Sequence, residues 1–521
     1  MIMNRLFTGC LLFSFLLLLN SCGSSQHGDF NILDYGAREN RLSTQAIQAA
    51  IDDCNLKGGG RVYVPKGIYV SGTIFLKSNV HLYLENGAVI KGSSDLKDYT
   101  FGETKHGLVY AENACNITIS GGGVLDGNGS FFHDTNKPHI GLTPDYDVNY
   151  TRQKDDFMNP EYGLEDGPIA YTERPCMQLV FIYCENITLK DFTIKDSPEW
   201  SLRLGDCDDV LIDGLRIFNN LLVPNSDGIH ITHSRNVRVC NCDLRCGDDA
   251  IIVTGFQCKM TVSGGDFEEV PSKVEIGREG KQYGNFTDYT ENITVTNCVL
   301  QSRSAGIRVG YGHFPIRNCT FSNLVIYDSN RGIGIFARES AAAIENIYFS
   351  NIIITNRLHK GHWWGKGEPL HVSSIPRYEG GVAGIVRNIH FSNITAESET
   401  GVVIWSDEPN NIQNLTFENV NLTIKESPIS HIYGGNFDLR PALRMEKSIF
   451  EHDIPAIFAR NVDGLLLKNI IVKWKGNFLP FYTYALECQN VNGLVTERFN
   501  GKAAQPTLPP FNLKNTVVEK N

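Results

Sequence analysis

The segment Val223–Val253, VPNSDGIHITHSRNVRVCNCDLRCGDDAIIV, carries three aspartates in a run that otherwise reads as apolar strands. Asp227 sits in Asn225-Ser-Asp-Gly, and Asp248 and Asp249 are adjacent behind Gly247. Neighbours on a regular strand point to opposite faces. One member of the adjacent pair would then place a charge in an apolar core, which is very costly. A bend at Gly247 avoids this and brings three carboxyls into one groove. Clustered carboxylates repel, so at least one is expected to keep its proton at working pH. A protonated acid beside ionised carboxylates is the equipment for hydrolysing a glycosidic bond. One group protonates the leaving oxygen and the others activate water, with inversion when acid and base stand roughly 6.5–9.5 Å apart. The alternatives are a solvated Asp-rich turn and a cation site.

The spacing of 21 residues between Asp227 and Asp248 has a structural meaning. From about Ala114 the chain repeats a unit of Asn or Asp, alternating β-branched residues, a small polar pair and a second apolar strand. The segments CENITLKDFTI, CDDVLIDGLRI, SRNVRVCNCDL, IENIYFSNIII and VRNIHFSNITA show it. Asn186, Asp209 and Asn236 are 23 and 27 residues apart, and Asn292, Asn318 and Asn346 are 26 and 28 apart. A unit of this length made only of strands predicts a stacked solenoid, a parallel β-helix. The spacing of 21 is then about one coil, placing Asp227 and Asp248 on neighbouring coils. Recurrent Asn suits sharp corners, with each amide bonding to those above and below. Cys242, Cys298, Leu324, Ile352 and Ile394 share one inward position, so these cysteines read as core. Alternation places Cys240 inside as well and His230 outside, which argues against a zinc site in CNCDLRC with His230 and His233, since ligands must converge.

Ahead of the repeat, STQAIQAAIDDCNLKGGG predicts a Ser/Thr-capped helix with Ile47, Ala50, Ile51 and Cys54 on one face. Insertions interrupt the repeat near 128–172, 255–290 and 356–387. The last contains Trp363-Trp364, either a loop packed on the wall or a surface for stacking sugar rings. The expected organisation is a signal peptide over 1–21, a linker over 22–29, a catalytic domain over 30–500 and a tail over 501–521. Arg5 followed by LLFSFLLLL is too short an apolar run to span a membrane with these flanks, and LLNSC before GSSQHG resembles a lipobox. Cys22 is therefore expected to carry a lipid anchor on a protein exported to the periplasmic or outer face of a bacterial envelope. A net charge of −11 argues against nucleic acid or an anionic membrane as partner. A carbohydrate and a monomeric state are the expectation.

The motifs PNSDGIHI and CGDDAI closely resemble glycoside hydrolase family 28, the polygalacturonase family. FNILDYGAREN, GGGVLDGNG and RPCMQLVFIYCENITLKDFTIKDSPEWSL extend the likeness over most of the chain. The resemblance implies an all-β, right-handed, single-stranded parallel β-helix with a small N-terminal helix cap. It implies inverting hydrolysis of galacturonan or related pectic chains, with no cofactor and no metal. Carried over by motif, Asp248 is the general acid, Asp227 and Asp249 activate water, and Asn225 orients the groove around Asp227. Two family motifs depart. Ala305 in SAGIRVG stands where the family has His, and Gly334 and Phe336 in RGIGIFAR stand for the Arg and Lys that hold the substrate carboxylate. Arg303, Arg308, Arg331 and Arg338 lie in the same segments. Arg308 alternates with Ile307 and Val309, so it is expected to face the groove and bind substrate. Arg338, His230, Trp363 and Trp364 are further candidates. Insertions that close one end of the groove make exo action one outcome. Two other readings stay open: a pectate-lyase-type enzyme on the same solenoid, and a non-catalytic glycan-binding protein.

Overall fold

The computed structural model describes residues 29–519 apart from 102–103, 140–149, 160–161, 257–288, 339–341, 378–380 and 443–447. The leader with Cys22 and most of the 255–290 insertion lie outside the described residues.

The chain is a parallel β-helix. Each coil contributes strands to three parallel ladders. In one coil these are Leu202–Gly205, Asp208–Asp213 and Arg216–Phe218, and the next coil places Ile229–Thr232, Arg235–Cys240 and Asp243–Cys246 directly upon them. The stack starts with helix Thr44–Leu56, which buries Ile47, Ala50, Ile51 and Cys54 as the period predicts. Ser43 does not cap it by side chain; its hydroxyl instead donates to the Arg38 and Arg41 carbonyls. The coils run on through Phe511–Lys514, paired in register with Leu486–Gln489. The segment after residue 500 therefore includes part of the solenoid as well as a tail.

Residue type explains the coil. Inward positions hold Ile, Val, Leu and Cys, and Phe321, Phe349, Phe391 and Phe417 stack at 4.8–5.0 Å between ring centres. The ladder Cys242, Cys298, Leu324, Ile352, Ile394 is inward and buried as expected. Cys240 is not. It ends its strand half-buried, with its thiol against Asp213 Oδ1 at 3.5 Å. Alternation continues through the last strand residue, so Cys240 faces outward and only the turn at Asn241 returns Cys242 to the core.

The corners are asparagine ladders. Asn393 Nδ2 donates to Asn351 Oδ1 at 3.0 Å, and Asn419 Nδ2 donates to Asn393 Oδ1 at 2.9 Å. Asn393 has φ +55°, the left-handed conformation that Asn tolerates better than other side chains. Asn393→Ala removes two rungs and strains the corner. It should cost about 2 kcal/mol, read as a lower urea midpoint, with Asn393→Gly costing less.

One ladder differs from the other two. In Arg235–Cys240 the buried residues alternate, whereas in Ile229–Thr232, Ile251–Gly255 and Arg331–Ala337 every residue is buried. Insertions cover the outer face of this ladder and leave a cleft over its middle coils.

Candidate active site

Asp227 precedes strand Ile229–Thr232, and Asp249 precedes strand Ile251–Gly255 one coil away. Gly228 N–H donates to the Asp249 carbonyl at 2.9 Å and Ile229 pairs with Ile251, so Asp249 sits over Asp227. Asp248 stands one residue earlier. Gly247 serves this turn through space rather than through an unusual φ. A Cβ there would lie 2.2 Å from the Val223 carbonyl and 2.5 Å from Ser226 Oγ. The turn is pressed onto the coil below, where Gly247 N–H donates to Ser226 Oγ.

The three carboxyls converge: one oxygen of each lies within 4.8 Å of the others. This is closer than the acid–base span expected for inversion, so the separation alone does not set the stereochemistry. All three are buried, at 3–5 % exposure, in the wall of a cleft of about 460 Å³. Asp248 accepts from the Asn225 N–H at 3.2 Å and from the Asp249 N–H at 2.9 Å. Asn225 adopts φ +58°, which aims its N–H at Asp248. Asp249 accepts from the Ala305 N–H at 2.8 Å and pairs with the Arg308 guanidinium. Asp227 Oδ2 is bonded to His230 Nε2 at 2.9 Å.

Burial and then repulsion from Asp249 push the Asp248 carboxyl up to about 7. Burial, then Asp248 and Asp249, also push Asp227 well above the usual carboxylate range. Such a cluster titrates as a unit. His230 is forced well below its ordinary value by burial and by Arg308 and Arg203, so it stands as a neutral imidazole hydrogen-bonded to Asp227. Trp200 stacks flat on it, 3.4 Å between ring centres, and fixes its plane.

Arg308 does face the cleft, in register between Ile252 and Gly334, but its charge is spent on Asp249. Arg338 does not line the cleft. It is buried, donating to the Pro441, Ser373 and Leu439 carbonyls and to Ser373 Oγ, and so fastens a loop rather than a substrate. Trp363 is also structural: it is 1 % exposed and donates Nε1–H to the Asp166 carbonyl. Its neighbour Trp364 lines the cleft beneath Arg440. Alternation assigns strand faces, but both loop residues lie where it has no force.

Ala305, Gly334 and Phe336 occupy the three departing positions. The Phe336 ring lies across Gly334, leaving no room there for a side chain: a Cβ would meet the ring at 2.4 Å. The cleft also contains Arg174 and Glu199, which lie within the family-like segment RPCMQLVFIYCENITLKDFTIKDSPEWSL without having been assigned to the site, and Arg203 and Arg440. A signal existed for Arg440. The corner ladder steps from Asn419 to Asn469, 50 residues, against 26 from Asn393 to Asn419. That doubled step marks a further insertion, and it holds the hairpin Asn436–Asp438 with Ile449–Glu451.

A model of the Glycosyl hydrolases family 28 matches residues 171–335, the span holding all three aspartates. A polygalacturonase of Persea americana is 25% identical over 350 residues, covering 63% of this chain and 68% of that protein. An exo-poly-alpha-D-galacturonosidase of Dickeya chrysanthemi is 28% identical over 250 residues, 42% of this chain and 41% of that protein. The solved family 28 exopolygalacturonase of Yersinia enterocolitica has a TM-score of 0.58 at 18% sequence identity, covering 94% of this chain and 77% of the other. At that identity the structural likeness is one of fold.

Proposed function

We propose that the chain is a glycoside hydrolase of family 28, whose model matches residues 171–335, and that it hydrolyses galacturonic acid-containing pectic glycans with inversion, working from a chain end. The observation that carries the reading is the aspartate cluster, in which burial raises both Asp248 and Asp227 and so keeps a proton in the cluster, assigned to Asp248 by its motif, while Asp249 is bound by Arg308 and the Ala305 N–H. Asp248 gives its proton to the leaving glycosidic oxygen. Water, held between Asp227 and Asp249, loses a proton to that pair as it attacks the anomeric carbon from the opposite face. Two adjacent carboxylates gripping one water favour direct displacement, even though the carboxyls stand close. Asp249 has a partner on each oxygen, which disfavours it as the nucleophile of a glycosyl-enzyme.

Exo action is supported by Trp364, Arg440 and Pro441, which two insertions bring to the cleft. The leader supports export with a lipid on Cys22. Among the described residues no helix is long and apolar enough to cross a membrane.

The test is a product assay of the purified protein on homogalacturonan, rhamnogalacturonan fragments and xylogalacturonan, with and without chelator. The expected product is a saturated monomer or short oligomer, formed equally with chelator, whose first-formed anomer by proton NMR is opposite to that of the cleaved bond. An unsaturated, ultraviolet-absorbing, chelator-sensitive product would move the chain to lyase chemistry. Binding without turnover, unchanged in Asp248→Asn, would make it a glycan-binding protein.

A further inference from the structure

The pectic reading leaves a gap. Such substrates carry a carboxylate on each acidic sugar, yet the positions for a basic pair hold Gly334 and Phe336. On that side of the aspartates three of the cleft arginines are paired with carboxylates. Arg308 pairs with Asp249, Arg331 with Glu368 at 3.5 Å, and Arg440 with Asp438 at 2.7 Å.

The opposite wall is different. Arg174 is half-buried, with its guanidinium 3.7 Å from the centre of the Tyr171 ring. Its Nη1 donates to the Pro198 carbonyl at 2.8 Å and the Pro224 carbonyl at 3.4 Å, and its Nη2 lies 3.5 Å from Asn225 Oδ1. All these partners are neutral. No carboxylate of the described residues lies within ion-pair distance of Arg174, and its Nε–H makes no hydrogen bond among them. The Nε/Nη2 edge is the one that grips a carboxylate with two parallel bonds. Asn225 links this guanidinium to the acid, because its own N–H is bonded to Asp248. Next to Pro198 stands Glu199, 4 % exposed and lining the same cleft. Its carboxyl makes no hydrogen bond among the described residues. A buried carboxyl without a partner is costly, and one that faces a cleft gains that partner from a ligand.

Resting on the pectic reading, we infer that Arg174 holds the carboxylate of the substrate's galacturonic acid-type residue and that Glu199 binds a hydroxyl of the same residue. The chain thus takes the acidic sugar from the wall opposite Gly334 and Phe336. Burial raises the Glu199 carboxyl above its ordinary range against the pull of Arg174, Arg203 and Lys105, which suits a neutral donor beside a bound carboxylate. The Tyr171 ring keeps the guanidinium plane fixed, so the fork is pre-oriented.

The experiment compares kinetics on a galacturonic acid oligomer and on its carboxyl-reduced counterpart, which keeps the hydroxyls and loses the charge. Arg174→Gln should raise KM for the acidic oligomer at least tenfold, change kcat by less than threefold, and cut the acidic-over-reduced preference at least tenfold. Arg174→Lys, which keeps the charge without the fork, should fall between. Glu199→Ala should raise KM on both oligomers alike, and Glu199→Gln, which keeps a hydrogen-bonding side chain, should raise it on both by less. An unchanged preference in Arg174→Gln overturns the assignment; if that variant does not fold, unchanged KM and preference in Arg174→Lys overturn it. A wild-type protein inactive on both oligomers, or preferring the reduced one, overturns the pectic reading and this inference with it, and does so without reference to either variant.

Discussion

Asp248→Asn is expected to lower kcat by about 10²–10⁴-fold, the usual worth of a general acid, while substrate still binds within a few-fold. The same variant should show a change that only a buried acid produces. In the folded protein Asp248 holds its proton up to about 7, against an ordinary aspartate value of 3.8. A raised carboxylate contributes full stability while protonated, below its unfolded value, and that contribution is lost as pH rises through the folded value. The folded state therefore loses stability between about pH 4 and pH 7 on account of this group. Asparagine never ionises. The difference in Tm, variant minus wild type, should become more positive from pH 4 to pH 8, even though the amide loses one of the two N–H bonds that Asp248 accepts. A difference that stays flat over this range would mean that Asp248 is not the group carrying the shifted proton.

This coupling of activity to lost stability explains why the site was visible in the sequence. Three carboxylates inside apolar strands break the local pattern, and such breaks mark functional positions. The coil spacing then followed from repetition: Asn at each corner and one small or branched residue at each inward position. What repetition could not supply lay outside the strands. Trp363 and Arg338 were read as cleft residues from type and neighbourhood, but loop backbone aims them into the wall. Arg174 and Glu199, inside a segment already compared with the family, were not assigned to the site for the converse reason. They sit before and after strand Leu179–Ile182 in connecting segments, where no period says which way a side chain points. Gly247 was read as a bend, yet its smallness serves the approach of one coil to the next. That distinction needs the neighbouring coil in view.

The second large effect concerns Arg308. It was expected to meet the substrate, and it meets Asp249 instead. It also lowers the proton affinity of Asp227 and Asp248, opposing the burial that raises them. Its own guanidinium is held above its ordinary value: burial opposes the charge, but Asp249, Tyr311, Asp227 and Asp248 outweigh it. Removing one partner of such a buried pair typically costs about 3–5 kcal/mol, because the other charge is left without compensation. Arg308→Gln should therefore lower stability by about that amount at pH 7. Its remaining activity should follow a displaced pH profile. Without the cation, the water-activating carboxylates need a higher pH to ionise, so the acidic limb of kcat moves up. Asp248 keeps its proton to higher pH, so the alkaline limb moves up too. Arg308→Lys, which restores a point charge at Asp249, should return both limbs toward wild type and recover part of the stability. A substrate-binding Arg308 predicts something else: a raised KM on acidic oligomers with an unmoved pH profile of kcat. A pH series of kcat and KM on Arg308→Gln separates the two, and the geometry at Asp249 favours the displaced profile.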